Sequence, residues 1–346
     1  MPAALLFELP PNLARGVPPE VSGKGRDDVR LMVGWRGDGQ VAEDRFPSLS
    51  RFLQAGDVMV VNTSATLPAA LDTVTDTGEQ VRLHLSTPLP GGLWVVEPRH
   101  PVGPGSRPRA TNSADVLSLP GGGRAQLLQP HSSTTRLWLA AIELPGPGSI
   151  DAYLSRHGQP IRYEYAEAAW PLAMYQTVYA RQPGSAEMPS AGRPFTADLI
   201  TDLVARGVAV MPVVLHSGVA SLEEGEAPTE ERFSVPESTA TVANSLRAGG
   251  GRLVAVGTTV VRALETVADR RGQLHPGQGM TDLVISTQRP PRAVDGLLTG
   301  WHEPRASHLA LVETIAGAEL METMYRRALD HGYAWHEFGD SCLILP

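Results

Sequence analysis

One cysteine, Cys342, and one lysine, Lys24, are all that 346 residues contain of either type. A lone thiol excludes an intramolecular disulfide and a cysteine-based zinc site. The near absence of lysine beside plentiful arginine, alanine, glycine and proline is the bias that GC-rich genomes impose, and no function is read from it. Basic residues also fall short overall. With 29 Lys and Arg against 37 Asp and Glu the net charge is −8, which argues against a broad nucleic-acid footprint but leaves room for a local basic patch. No apolar run approaches the roughly 18 residues of a membrane span. The opening MPAALLFELPPNL has no basic leader and carries Glu8 and Pro10 in its only apolar stretch, so a cytoplasmic protein is expected. Nor is there an HExxH, a His-x-His, a GxSxG elbow, a Walker loop or a GxGxxG, which removes the usual support for zinc hydrolases, serine hydrolases, P-loop NTPases and dinucleotide enzymes. His302 comes nearest to a metal motif, but Pro304 follows Glu303 and breaks the helix that a second ligand would need. No metal is expected.

What is present has two textures. At 42% hydrophobic residues the chain can bury its own core, as two domains or as one large domain with an insertion. Residues 26–62 read as short strands and turns, with strands at 29–33 and 57–62. Between 66 and 149, strand-like pieces at 81–85, 93–97, 125–128 and 136–142 alternate with Gly and Pro clusters, the pattern of a small antiparallel β unit. From 175 onward strands and helices alternate: a helix capped by Thr196 and running to Arg206, a buried strand at 208–215 ending at His216, helices at 236–248 and 258–270 around a strand at 252–256, a strand at 283–286, and one long helix at 307–330. The expected class is α/β with mixed helices and strands: a main α/β domain from 1–65 and 150–346, interrupted by a smaller antiparallel β domain at 66–149. Glu223, Glu224, Glu226, Glu230 and Glu231 read as a solvated acidic loop.

The segment 252–270, RLVAVGTTVVRALETVADR, is the most informative. An apolar β-branched run is broken by Gly257, and Thr258 or Thr259 can cap a helix whose Val260, Val261, Leu264, Val267 and Ala268 share a face. The free amides of such a first turn, with the helix dipole, suit a phosphate or carboxylate, although plain scaffold looks the same. Arg262 and Glu265 lie three residues apart on this helix, as an ordinary ion pair would. In VDGLLTGWHEP (294–304), Asp295 and His302 could converge near the turn, the carboxylate fixing the tautomer of a proton-carrying imidazole; the alternative is that His302 only braces its loop.

Read in order, seven stretches resemble one family over nearly the whole chain: FELPPNLA (7–14), GRDDVRLMV (25–33), FPSLSRFLQAGDVMVVN (46–62), YQTVYA (175–180), AVGTTVVRALE (255–265), VDGLLTGWHEP (294–304) and FGDSCLIL (338–345). They are similar to the S-adenosylmethionine:tRNA ribosyltransferase-isomerases of queuosine biosynthesis. The resemblance implies a main α/β domain with barrel-like character and an inserted β domain. It also implies an unusual use of S-adenosylmethionine, which gives up adenine and methionine while its sugar is rebuilt as an epoxycyclopentanediol on a 7-deazaguanine base in tRNA. The sulfonium acidifies the adjacent C5′–H, so that a base removes the proton, adenine leaves, and an amine attacks the activated vinyl sulfonium. Carried onto this chain, Gly257, Thr258, Thr259 and Arg262 take the methionine carboxylate, Tyr175, Gln176, Arg26 and Arg30 belong to the binding site, His302 or Asp295 moves protons, and no metal is required.

Four motifs depart from the family pattern. Asn-Asp-Thr-Arg is here Asn62-Thr63-Ser64-Ala65; Pro-Thr-Ala-Gly-Leu-His-Phe-Thr is Pro189-Ser190-Ala191-Gly192-Arg193-Pro194-Phe195-Thr196; Gly-Thr-Phe is Val219-Ala220-Ser221; and Met-His-x-Glu ends as Thr229-Glu230-Glu231. The expectation drawn from these changes is an S-adenosylmethionine-dependent transferase with an altered acceptor site that works on a small molecule. The tRNA reaction is the competing reading, and a non-catalytic S-adenosylmethionine-binding module is a third.

Overall fold

In a computed structural model, which describes residues 7–111, 115–131, 136–219, 229–304 and 306–346, most strands belong to two sheets. The larger has nine, in the spatial order Gly277–Thr281, Glu231–Val235, Ala209–Leu215, Val58–Asn62, Leu253–Val256, Gly296–Gly300, Ser341–Leu345, Arg30–Trp35 and Val41–Arg45. Its four central strands, from Ala209–Leu215 to Gly296–Gly300, run parallel. Side chains alternate along each strand, and Val58–Asn62 and Leu253–Val256 are buried on both faces, so these strands read as continuous apolar runs. Val58, Val60, Leu253 and Ala255 join one core with the helices Thr258–Val267, Ser307–Ala316 and Ala318–Asp330. Met59, Val61, Val254 and Val256 join the other with the helix Ala197–Ala205.

The second sheet closes on itself. Strands Ala70–Thr75, Gln80–Pro88, Leu93–Val102, Trp138–Glu143, Arg124–Pro130 and Val116–Ser118 pair antiparallel in that order, and the last returns to the first. This six-stranded barrel is filled by Leu71, Leu83, Val96, Leu117, Leu127 and Trp138. The mixed α/β class is as expected, and the closed barrel is made by the small unit. Among the described residues, no helix is long and apolar enough to cross a membrane.

Three local expectations are corrected. The long helix at 307–330 is two helices, because Gly317 adopts φ 82° between them. The segment 283–286 is not a strand; only Ser286 forms a bridge, to Arg289. Of the acidic stretch, Glu231 lies buried in the strand Glu231–Val235 and is not part of a solvated loop, while Glu223, Glu224 and Glu226 lie outside the described residues. Thr196 caps its helix as expected, its hydroxyl accepting from Leu199 N at 3.2 Å.

Candidate active site

The parallel strands Leu253–Val256 and Gly296–Gly300 end at one mouth, where open α/β sheets bind ligands. A cavity of about 230 Å³ lies there, walled by the turn Gly257-Thr258-Thr259, by Thr299 to Glu303, and by the chain around Tyr163, Glu187 and His336. Gly257 is what lets the strand turn directly into the helix. Its φ of 95° is a left-handed value that a side chain resists, and an added Cβ would sit 3.4 Å from Ala191 Cβ. The helix has no side-chain cap, contrary to the expected role of Thr258 or Thr259. Val260 and Val261 donate back to Gly257 O, and the amides of Thr258 and Thr259 have no acceptor among the described residues. The turn therefore presents uncommitted donors at the positive end of a ten-residue helix.

A repeated tripeptide supplies more of the wall. Trp301-His302-Glu303 and Trp335-His336-Glu337 carry the same sequence, and the fold brings them together. Their indole rings lie 5.5 Å apart, Trp335 Nε1 donates to His302 O at 3.1 Å, and His336 Nδ1 is 3.3 Å from Glu303 Oε1. His336 adopts φ 71°, a left-handed value for a residue with a side chain, and stacks on Tyr165 at 3.9 Å. Tyr165 Oη donates to Glu337 Oε1 at 2.6 Å, and Tyr163 Oη donates to Glu187. Desolvation pushes the Glu337 carboxyl up against the pull of the Tyr165 bond. Three carboxylates thus line the cavity with no lysine or arginine among the described residues of its wall.

Near the turn, the rings of His302 and His308 stack in parallel at 5.0 Å. Desolvation, then the neighbouring charge, lowers His302 to about 3 and His308 to about 4, so both are neutral at neutral pH. His302 Nε2 shares a hydrogen bond with Thr299 Oγ1 at 3.0 Å.

Of the residues singled out from the sequence, Gly257, Thr258, Thr259, His302 and Tyr175 line this cavity. Asp295 does not meet His302. The strand Gly296–Gly300 separates them by about 16 Å at roughly 3.3 Å per residue, and Asp295 instead accepts from Leu253 N and Arg247 at the opposite end of the sheet. Gln176 stands behind the wall, its amide clasping Thr66 N and O, and Arg26 donates to Gln176 O. Arg30 binds Asp340 and lies 4.0 Å over the Tyr333 ring, away from the cavity. Tyr163, Tyr165, Glu187, His308, His336 and Glu337 were missed; the Trp-His-Glu repeat was the signal for two of them.

Arg262 is buried behind the turn, beside a second cavity of about 70 Å³ that shares Thr258, Thr259 and His308 with the first. It pairs with Glu231, not Glu265, and donates to Leu283 O at 2.9 Å and Thr281 O at 3.1 Å. Glu265 accepts from the amides of Arg292, Ala293 and Val294. Arg262→Ala is therefore expected to destabilise the fold by about 3–5 kcal/mol, because Glu231 is left buried without its partner. Urea unfolding measures this, and a loss of only a few tenths would mean that the pair is dispensable.

The sequence matches the family described as Queuosine biosynthesis protein over residues 3–344. An S-adenosylmethionine:tRNA ribosyltransferase-isomerase of Symbiobacterium thermophilum is 36% identical over 354 residues, covering 98% of each chain, and one of Thermus thermophilus is 36% identical over 353 residues, again covering 98% of each. The crystal structure of the S-adenosylmethionine tRNA ribosyltransferase from Thermotoga maritima aligns over 98% of this chain and 99% of its own, with 29% identity and a TM-score of 0.55.

Proposed function

Because the chain belongs to the queuosine biosynthesis family, we propose that it is an S-adenosylmethionine-dependent transferase-isomerase that moves the ribosyl group of S-adenosylmethionine onto a 7-deazaguanine base in tRNA. The observation that carries this reading is what lines the cavity: amides of Thr258 and Thr259 that have no acceptor among the described residues, together with the carboxyl groups of Glu303 and Glu337. S-adenosylmethionine carries the complementary groups, a carboxylate and a sulfonium. The turn takes the carboxylate, and the acidic wall favours both the sulfonium and the amine of the acceptor. Arg262 supports the turn from behind, and a neutral imidazole supplies proton transfer.

The relatives matched over 98% of the chain are named for the tRNA reaction and support it over the small-molecule acceptor expected from the changed motifs; within those motifs, changed and retained residues alike have structural partners. Arg193 is buried and grips Glu20 through bonds of 2.8 and 2.7 Å. Glu231 ends its motif with the family's glutamate and pairs with Arg262. Asn62 bridges Leu215 N and O, and Ser64 bonds Ser185 and His216. Ala220 and Ser221 lie outside the described residues.

The test is incubation with S-adenosylmethionine and an anticodon stem-loop carrying 7-aminomethyl-7-deazaguanine. Epoxyqueuosine in the digested RNA, with adenine and methionine released in equal amounts, is the expected outcome. S-adenosylhomocysteine or methylthioadenosine as the co-product, or turnover only with a small-molecule acceptor, would overturn it.

A further inference from the structure

We propose that His308 is the group that takes the proton from the sulfonium-activated carbon, and that His302 is a positioning residue beneath it; this rests on the reading above. The two rings are not equivalent. His302 is fixed: its Nε2 is engaged by Thr299, its carbonyl accepts from Trp335 Nε1, and its amide donates to Tyr325 Oη at 3.4 Å. The ring of His308, in the first turn of Ser307–Ala316, makes no hydrogen bond to any described residue and lines both cavities. It lies beside the turn assigned to the donor's carboxylate, with its ring held flat against His302. The titratable and charged groups around it are His302 from the loop after Gly296–Gly300, Arg262 from the helix Thr258–Val267, Glu231 from its strand, and Glu303 at the rim. The nearby Arg262 charge opposes protonation and keeps the imidazole in the form that accepts a proton.

In the step assigned to it, the C5′–H bond breaks, an N–H bond forms on His308, and the electron pair stays on carbon beside the sulfonium. That pair then forms the C4′=C5′ bond of the vinyl sulfonium as the C4′–O4′ bond breaks, the freed oxygen pair forms a C1′=O carbonyl, and adenine departs with the pair of its glycosidic bond and with the proton from His308, which returns to its neutral state.

The experiment is single-turnover release of adenine with the stem-loop present, for the wild type, H308A, the nearly isosteric H308N and H302A, with the dissociation constant for S-adenosylmethionine measured on each. Adenine release by H308A and H308N is expected to fall by about 10²- to 10⁴-fold, the range for a lost general base, while donor affinity changes less than about threefold on the scale of ordinary substitutions. Added imidazole should restore H308A, and H302A should lose less and gain nothing from imidazole. Rates within threefold of wild type in either His308 variant, or imidazole rescue of H302A in place of H308A, would overturn the assignment. Wild type that releases no adenine at all would instead remove the functional reading together with this inference.

Discussion

Glu97→Gln should cost the protein about 3–5 kcal/mol at neutral pH, the range for breaking a buried ion pair by removing one partner. Glu97 sits inside the barrel wall at 1% exposure, accepting from Arg99 at 2.7 Å and Arg136 at 3.1 Å, with His84 Nδ1 at 3.5 Å. Burial pushes its carboxyl up, but His84, Arg99 and Arg136 together bring it from 4.5 down to about 2. A carboxylate whose folded value is depressed contributes stability that is complete above the unfolded value and is lost as pH falls through the folded one. The gap between wild type and variant in urea unfolding should thus be full at pH 7, begin to narrow below about 4.5, and close towards 2. A gap under 1 kcal/mol at pH 7 would show that the charges are not balanced by this carboxylate. Arg99 also lies 4.9 Å over the ring of Tyr163 in the cavity wall, so the barrel supports the site it does not itself form.

Gly257→Ala should weaken S-adenosylmethionine binding by about 10- to 150-fold, the equivalent of one lost hydrogen bond to a charged group at about 1.5–3 kcal/mol. At φ 95° a side chain is strained by about 1–3 kcal/mol. The backbone relieves that strain by rotating the amides of Thr258 and Thr259 away from the cavity. Calorimetric titration distinguishes this from mere loss of stability: a variant that melts earlier yet binds the donor with unchanged affinity would mean that the turn is scaffold only.

The half of the site that was legible in the sequence is the local half. The turn at Gly257 follows from a β-branched run, a glycine and an amphipathic helix within about a dozen residues, and Thr196 announces its helix in the same way. The acidic half is assembled by pairings between segments that share no periodicity, Tyr163 with Glu187 across 24 residues and Tyr165 with Glu337 across 172. Asp295 was expected near His302 because the two are close in sequence and His302 follows on what reads as a loop, whereas the five residues Gly296–Gly300 between them form a strand that carries the two polar ends apart. Arg262 and Glu265 have the spacing of an ion pair, yet each finds a better partner in the fold: Glu231 for the arginine and three successive backbone amides for the glutamate.

The strand Ser341–Leu345 has a consequence for how the molecule assembles. Wholly buried, it lies between Gly296–Gly300 and Arg30–Trp35, a partner some three hundred residues away in sequence, and it follows directly on the second Trp-His-Glu triplet. Closing so distant a pairing is slow, and the reward comes only when both neighbours are in place. His336 and Glu337 therefore reach the cavity at the same moment as the sheet is completed. Donor binding should consequently rise and fall with global folding, and amide protons of Leu343 and Ile344 should exchange only through complete unfolding.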